Sequence, residues 1–214
     1  MDLTGKVAIV TGSGGGGGGR AIASRFACEK CSVVICDINE PGGRETIRLI
    51  EAGGSRATFF RTDVGKESEI EALVEFAGKT YGGLDVLVNN ASAPYGPQTL
   101  LEHWFDALQV DLHGPMYAIL HAIPAMRKRG GGAIVNIGST SALGHGLKHS
   151  KSPAYDVAKM GMIRLTTTLR PLSDSDGIRV NWLVPAWVAT PELTAYVDSL
   201  PAGSWSGSTA NQQG

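Results

Sequence analysis

The sequence predicts a doubly wound α/β domain built on a parallel sheet, and three observations carry that prediction. Short apolar, β-branched runs recur along the chain, segments with helical periodicity separate them, and a glycine-rich turn follows the first run. Apolar runs that are continuous rather than alternating belong to strands buried on both faces. Six are present, at residues 7–10, 32–36, 57–60, 86–88, 133–137 and 178–184. Between the third and fourth, Ile70, Leu73, Val74 and Ala77 fall at i, i+3, i+4 and i+7, one face of a helix. Residues 101–129 read as one long helix bent near Pro115 and Pro124, where proline removes a donor and collides with the preceding turn.

Of the 214 residues, 43% are hydrophobic and 18% charged, enough apolar side chain for one core. Residues 1–200 are assigned to a single domain and residues 201–214, rich in Gly, Ser, Gln and Asn, to a flexible tail. The net charge is −1 and no like-charge block exceeds Arg127-Lys128-Arg129, which argues against nucleic acid or a membrane surface as partner. Apolar runs fall short of the ~18 residues of a membrane span, and the opening residues lead straight into a strand, so a cytoplasmic location is expected. Cys28, Cys31 and Cys36 fit a reduced compartment. Cys28 and Cys31 spell C-x-x-C, but without a second pair or a nearby His they make no zinc site, and His103, His113, His121, His145 and His149 have no metal-binding spacing. No metal is expected. His145, in a polar loop, and the aromatics Tyr95 and Trp187 are candidates for lining a substrate cleft.

Six consecutive glycines, Gly14 to Gly19, match any glycine spacing, so their position is what informs. They lie between a strand ending Val10-Thr11-Gly12 and a helix opening at Arg20, where a pyrophosphate meets backbone N–H groups at a helix N-terminus; the alternative is a plain surface loop. Asp37 ends the second strand nineteen residues beyond Gly18, near the ~20-residue offset at which an acid accepts hydrogen bonds from a ribose. A carboxylate there repels a 2′-phosphate, and residues 38–40 hold no Arg or Lys, so NAD is favoured over NADP. The alternative role for Asp37 is to cap the following turn.

Tyr155 and Lys159 form Y-x-x-x-K on a predicted helix, which places both on one face. An ammonium beside a phenol favours the phenolate, the form needed by a general acid/base for an alcohol–ketone couple. The fifth strand ends Val135-Asn136-Ile137-Gly138-Ser139, and a hydroxyl at the carboxyl end of a parallel strand faces the ligand crevice. Ser139 is the candidate to hydrogen-bond a substrate oxygen, with Thr140 and Ser141 as rivals and turn capping as the alternative.

Together these pieces resemble the short-chain dehydrogenase/reductase family over residues 5–195. Its T-G-x-x-x-G-x-G loop is matched by Thr11, Gly12, Gly16 and Gly18, although the G-R-A-I-A helix start places the last glycine at Gly19, one residue later. Asp63 and Val64 match its adenine-flanking pair, Asn89-Asn90-Ala91-Ser92 its N-N-A-G segment, and Pro185-Ala186 with Val188 and Thr190 the stretch beside the nicotinamide carboxamide. The resemblance implies a Rossmann-type domain, a catalytic Ser139, Tyr155 and Lys159, with Tyr155 and Lys159 also touching the cofactor, and a homo-oligomer. Departures stand beside it. The catalytic asparagine falls on Asp111, Ser139 and Tyr155 are sixteen residues apart rather than a few fewer, Ser92 and Ala186 replace glycines, and the last strand of the family is expected to be missing. The function expected is NAD-dependent interconversion of a small-molecule secondary alcohol and a ketone. The alternative is a truncated, catalytically impaired nucleotide-binding relative that serves as a binding or regulatory module.

Overall fold

The computed structural model describes residues 2–93, 103–143, 153–186, 188–190, 194–195 and 198–199. Tyr95, His145, His149, Trp187 and the tail lie outside them. Among the described residues six strands, β1 (Val7–Thr11), β2 (Ser32–Asp37), β3 (Ala57–Arg61), β4 (Val86–Asn89), β5 (Gly132–Ile137) and β6 (Ile178–Leu183), form one sheet in the order β3-β2-β1-β4-β5-β6. Every pairing is parallel, with Val7 opposite Ser32 and Ala8 opposite Val86. The order reverses beside β1, and it is at such a switch point that open α/β sheets bind ligands.

All five residues of β1 are buried because both faces of the sheet are covered. Val7 and Ile9 point into a core shared with α3 (Glu67–Tyr81) and α5 (Gly114–Lys128), where Ile70, Leu73, Ala118 and Met126 pack. Ala8 and Val10 point the other way, against Ala23 and Ala27 of α1 (Gly18–Cys28) and Ile50 of α2 (Glu40–Ala52). Each large side chain buried in this way is worth about 1.5–3 kcal/mol. The helical face predicted at Ile70, Leu73, Val74 and Ala77 is buried throughout, and α3 ends on Gly82 at φ +84°. The cysteines are unpaired; Cys28 is exposed, and burial pushes the Cys31 thiol up to about 11.

Ahead of α5 run α4 (Trp104–Leu108) and a π-helical turn (Gln109–His113), so the long predicted helix is a rod with one wide turn. Pro115 explains it. Proline has no N–H and its ring collides with the carbonyl four residues back, that of Asp111; the Gly114 N–H bonds instead to the Gln109 carbonyl, five residues back. Pro124, by contrast, leaves α5 continuous. After β5, a 3₁₀ turn (Thr140–Leu143) leads toward α6 (Pro153–Thr168), and the short α7 (Leu172–Asp176) precedes β6. A Cβ at Gly161 of α6 would press on Leu112 of the wide turn at 3.1 Å, so this glycine sets how closely the two approach.

At the opposite end of the sheet, Asp85 stitches three elements together. Its carboxylate accepts hydrogen bonds from Val7 N–H (2.9 Å), Arg129 Nη2 (3.0 Å) and Lys6 Nζ (3.2 Å). Burial alone would push this carboxyl up, but these donors outweigh it and hold it below the ordinary aspartate value. A depressed carboxyl contributes stability above the unfolded value of about 3.9 and loses it as pH falls through the lower folded value. Asp85→Asn is expected to cost about 1–3 kcal/mol at neutral pH and to flatten the loss of stability below pH ~4, measured by urea unfolding across an acid pH series.

Candidate active site

The carboxyl ends of β1, β2, β3 and β4 converge on a cleft of about 710 Å³ lined by the glycine loop, Asp37, Asp63, Val64, Asn90 and Thr190. Residues brought together from five separate stretches of sequence thus share one wall. A groove of about 950 Å³ at the amino end of the sheet, lined by Lys30, Arg56 and Tyr81 among others, contains none of the predicted residues.

The glycine loop is shaped by contacts that single out individual glycines. Gly12 has φ +65°, and a Cβ there would stand 2.6 Å from Ala91 Cα; a Cβ on Gly19 would overlap the Gly12 carbonyl oxygen. At Gly18 the nearest atom would be 3.5 Å away, so the close-packed glycine at the helix start is Gly19. Gly16 is half-buried midway along the loop. Asn90 donates to the Thr11 and Gly12 carbonyls (3.0 and 3.2 Å), and Thr11 Oγ1 accepts the Asn90 and Ala91 N–H groups, which joins the loop to the end of β4. Such a cradle, which side chains would fill, with a helix N-terminus behind it, fits a dinucleotide pyrophosphate.

Asp37 Oδ2 accepts the Gly14 N–H (2.8 Å) and Oδ1 the Asn39 N–H (2.9 Å), while Asn39 itself caps α2. The carboxylate therefore closes the turn and fastens the loop from the cleft wall. Asp63 accepts the Gly65 N–H at 3.0 Å, and Val64 is buried against Gly114. Thr190 lies against Gly17, where a Cβ would meet its methyl at 3.2 Å; Pro185 accepts the Thr140 N–H, and Val188 is exposed.

Lys159 is the junction of the site. It is 2% exposed, and its Nζ donates to the Ile137 carbonyl at the end of β5 (3.1 Å), ion-pairs with Asp111 Oδ1 (2.9 Å) and sits 5.4 Å from the ring centroid of Tyr155, one helical turn away. The wide turn ahead of Pro115 carries Asp111 to this position, fully buried. Ser139, two residues beyond Ile137, accepts the Ser141 N–H (3.2 Å), and the two hydroxyls are 2.9 Å apart, whereas Thr140 is exposed.

Sequence reasoning passed over the residues behind this wall. Asn136, hidden in an apolar run, accepts from Asn89 (2.8 Å) and donates to Thr166 (2.8 Å), which fixes α6 to β4 and β5 through a fully buried chain. Arg20 and Thr46 tie the loop to α2. An interrupting polar residue within a strand run is the one sequence signal that points to Asn136.

The chain matches the family described as short chain dehydrogenase over residues 6–199. It is 36% identical over 201 residues to the cis-4-hydroxycyclohexanecarboxylate dehydrogenase of Sinomonas cyclohexanicum, covering 92% of this chain and 77% of that one. To the glucose 1-dehydrogenase 2 of Bacillus subtilis it is 36% identical over 197 residues, 88% of this chain and 74% of that protein. A solved short-chain dehydrogenase/reductase structure from Burkholderia xenovorans superposes with a TM-score of 0.83 at 34% identity, covering 91% and 79% of the two chains. The chain belongs to the short-chain dehydrogenase/reductase family, and its fold and relatives make it an oxidoreductase.

Proposed function

We propose that the chain interconverts a secondary alcohol and its ketone with NAD. The observation that carries the reading is the Lys159 ammonium, fixed beside the Tyr155 ring by Asp111 and by the carbonyl of Ile137, two residues before Ser139. In the oxidising direction Tyr155, as phenolate, takes the hydroxyl proton of the alcohol, and Ser139 hydrogen-bonds the same oxygen as it becomes a carbonyl. The glycine loop and the N-terminus of α1 would hold the pyrophosphate, Asp37 the adenosine ribose, Asp63, Val64 and Asn90 the adenine side, and Lys159 with Pro185, Val188 and Thr190 the nicotinamide end. Bound there, the dinucleotide supplies the acceptor for the hydride that leaves the carbinol carbon. The cyclohexane-based substrate in the name of one relative makes cyclic secondary alcohols the first to test. A screen of such alcohols with NAD, followed at the nicotinamide absorbance, is expected to find turnover; no turnover in any alcohol with bound NAD favours the binding-module alternative.

Preference for NAD rests on Asp37. Wild-type protein is expected to bind NADH at least about tenfold more tightly than NADPH, and Asp37→Asn, which keeps an acceptor for the Gly14 N–H but removes the charge, to collapse that ratio. Equal wild-type affinities in a fluorescence titration would refute the assignment.

A cytoplasmic homo-oligomer completes the proposal. Cys28, Cys31 and Cys36 are unpaired, in keeping with a reducing compartment, and no described helix is long and apolar enough to cross a membrane. Phe105 (84%), Leu120 (55%), Val157 (48%) and Met160 (45%) are exposed on α4, α5 and α6, apolar surface that a second subunit would cover. Light scattering is expected to give a mass above the 22.4 kDa of one chain; a monomer at all concentrations would contradict it.

A further inference from the structure

We propose that Arg20 and Thr46 are positioning residues for the cofactor loop, holding it from behind in the shape that receives the dinucleotide. The inference rests on the NAD reading above. Six consecutive glycines bring no side chain with which the loop could hold itself, and glycine loses more backbone freedom on ordering than any other residue. Anchors must therefore come from neighbouring elements. Thr46, fully buried on α2, donates to the Ser13 carbonyl at 2.8 Å and accepts the Arg20 Nε–H at 2.9 Å. From the first turn of α1, Arg20 also reaches the Gly14 carbonyl (3.4 Å) and the Gly42 carbonyl (3.3 Å). A Cβ on Gly42 would overlap the Gly14 carbonyl oxygen, so the first turn of α2 touches the loop backbone directly.

The brace grips Ser13 and Gly14 on the side away from the cleft and touches none of Ser139, Tyr155 or Lys159. Releasing it leaves the reacting groups in place and makes binding bear the cost of ordering the loop, which weakens affinity without slowing the bound complex.

The test uses the full chain with Thr46→Val, Thr46→Ser and Arg20→Met, read by NADH titration, amide exchange of residues 11–19 without cofactor, and turnover at saturating NAD. Thr46→Val and Arg20→Met are expected to weaken NADH binding about tenfold and speed exchange in the loop, with saturated turnover within about twofold of wild type and Thr46→Ser restoring affinity. Should Thr46→Val not fold, Arg20→Met, whose side chain is half-buried, carries the test. Unchanged NADH affinity in the folded variants, or slower saturated turnover at unchanged affinity, overturns the proposal. If wild-type protein binds neither NADH nor NADPH, the cofactor reading has failed and the brace falls with it; loss confined to the variants leaves that reading standing.

Discussion

Tyr155→Phe is expected to lower turnover of a secondary alcohol by about 10³-fold while NADH affinity stays near the wild-type value. The substitution removes one oxygen and keeps the ring, so the surface presented to Lys159, 5.4 Å away, persists while the hydroxyl proposed to exchange the proton is gone. A loss in turnover with matched affinity assigns the hydroxyl to chemistry rather than to the shape of the pocket. Comparable turnover in both proteins would remove Tyr155 from the mechanism.

Lys159→Met is expected to stop turnover and also to destabilise the fold by about 3–5 kcal/mol, because Asp111 is fully buried and the variant leaves its charge without the ammonium 2.9 Å away. Pairing Lys159→Met with Asp111→Leu removes both charges and should recover most of that stability without recovering activity, a separation readable from urea unfolding beside alcohol turnover. Asp111→Asn tests the other half of the pair. A carboxylate at 2.9 Å compensates the ammonium that faces the Tyr155 ring, so under the proposed mechanism the amide is expected to raise turnover severalfold. Turnover unmoved in Asp111→Asn would make Asp111 a purely structural partner of Lys159.

The central strands were legible because both faces of the sheet are covered there, which leaves apolar runs such as 7–10 and 32–36 without charged interruptions. Tyr155 and Lys159 were legible because a four-residue spacing survives folding unchanged on a helix. Other features acquire meaning only across elements. Nothing within six identical glycines distinguishes Gly19 from Gly18; the distinction comes from Asn90 and the Gly12 carbonyl. Thr46 reads as an ordinary helix residue until its hydroxyl is seen to reach Ser13, thirty-three positions away. The wide turn at Gln109–His113 was half legible: Pro115 announced a disturbance, but that the disturbance brings Asp111 to Lys159 follows from how α6 packs through Gly161. Ser139 and Ser141, rivals by sequence, are hydrogen-bonded to each other.

Oxidation of a secondary alcohol at the proposed site requires NAD as the stoichiometric acceptor. Purified wild-type protein should be incubated with NAD and a cyclic secondary alcohol, and ketone and NADH quantified in the same samples. One ketone per NADH is expected, both formed about 10³-fold more slowly by Tyr155→Phe. Bound NAD with no ketone from any alcohol tested, or ketone and NADH formed equally fast by Tyr155→Phe, would contradict it.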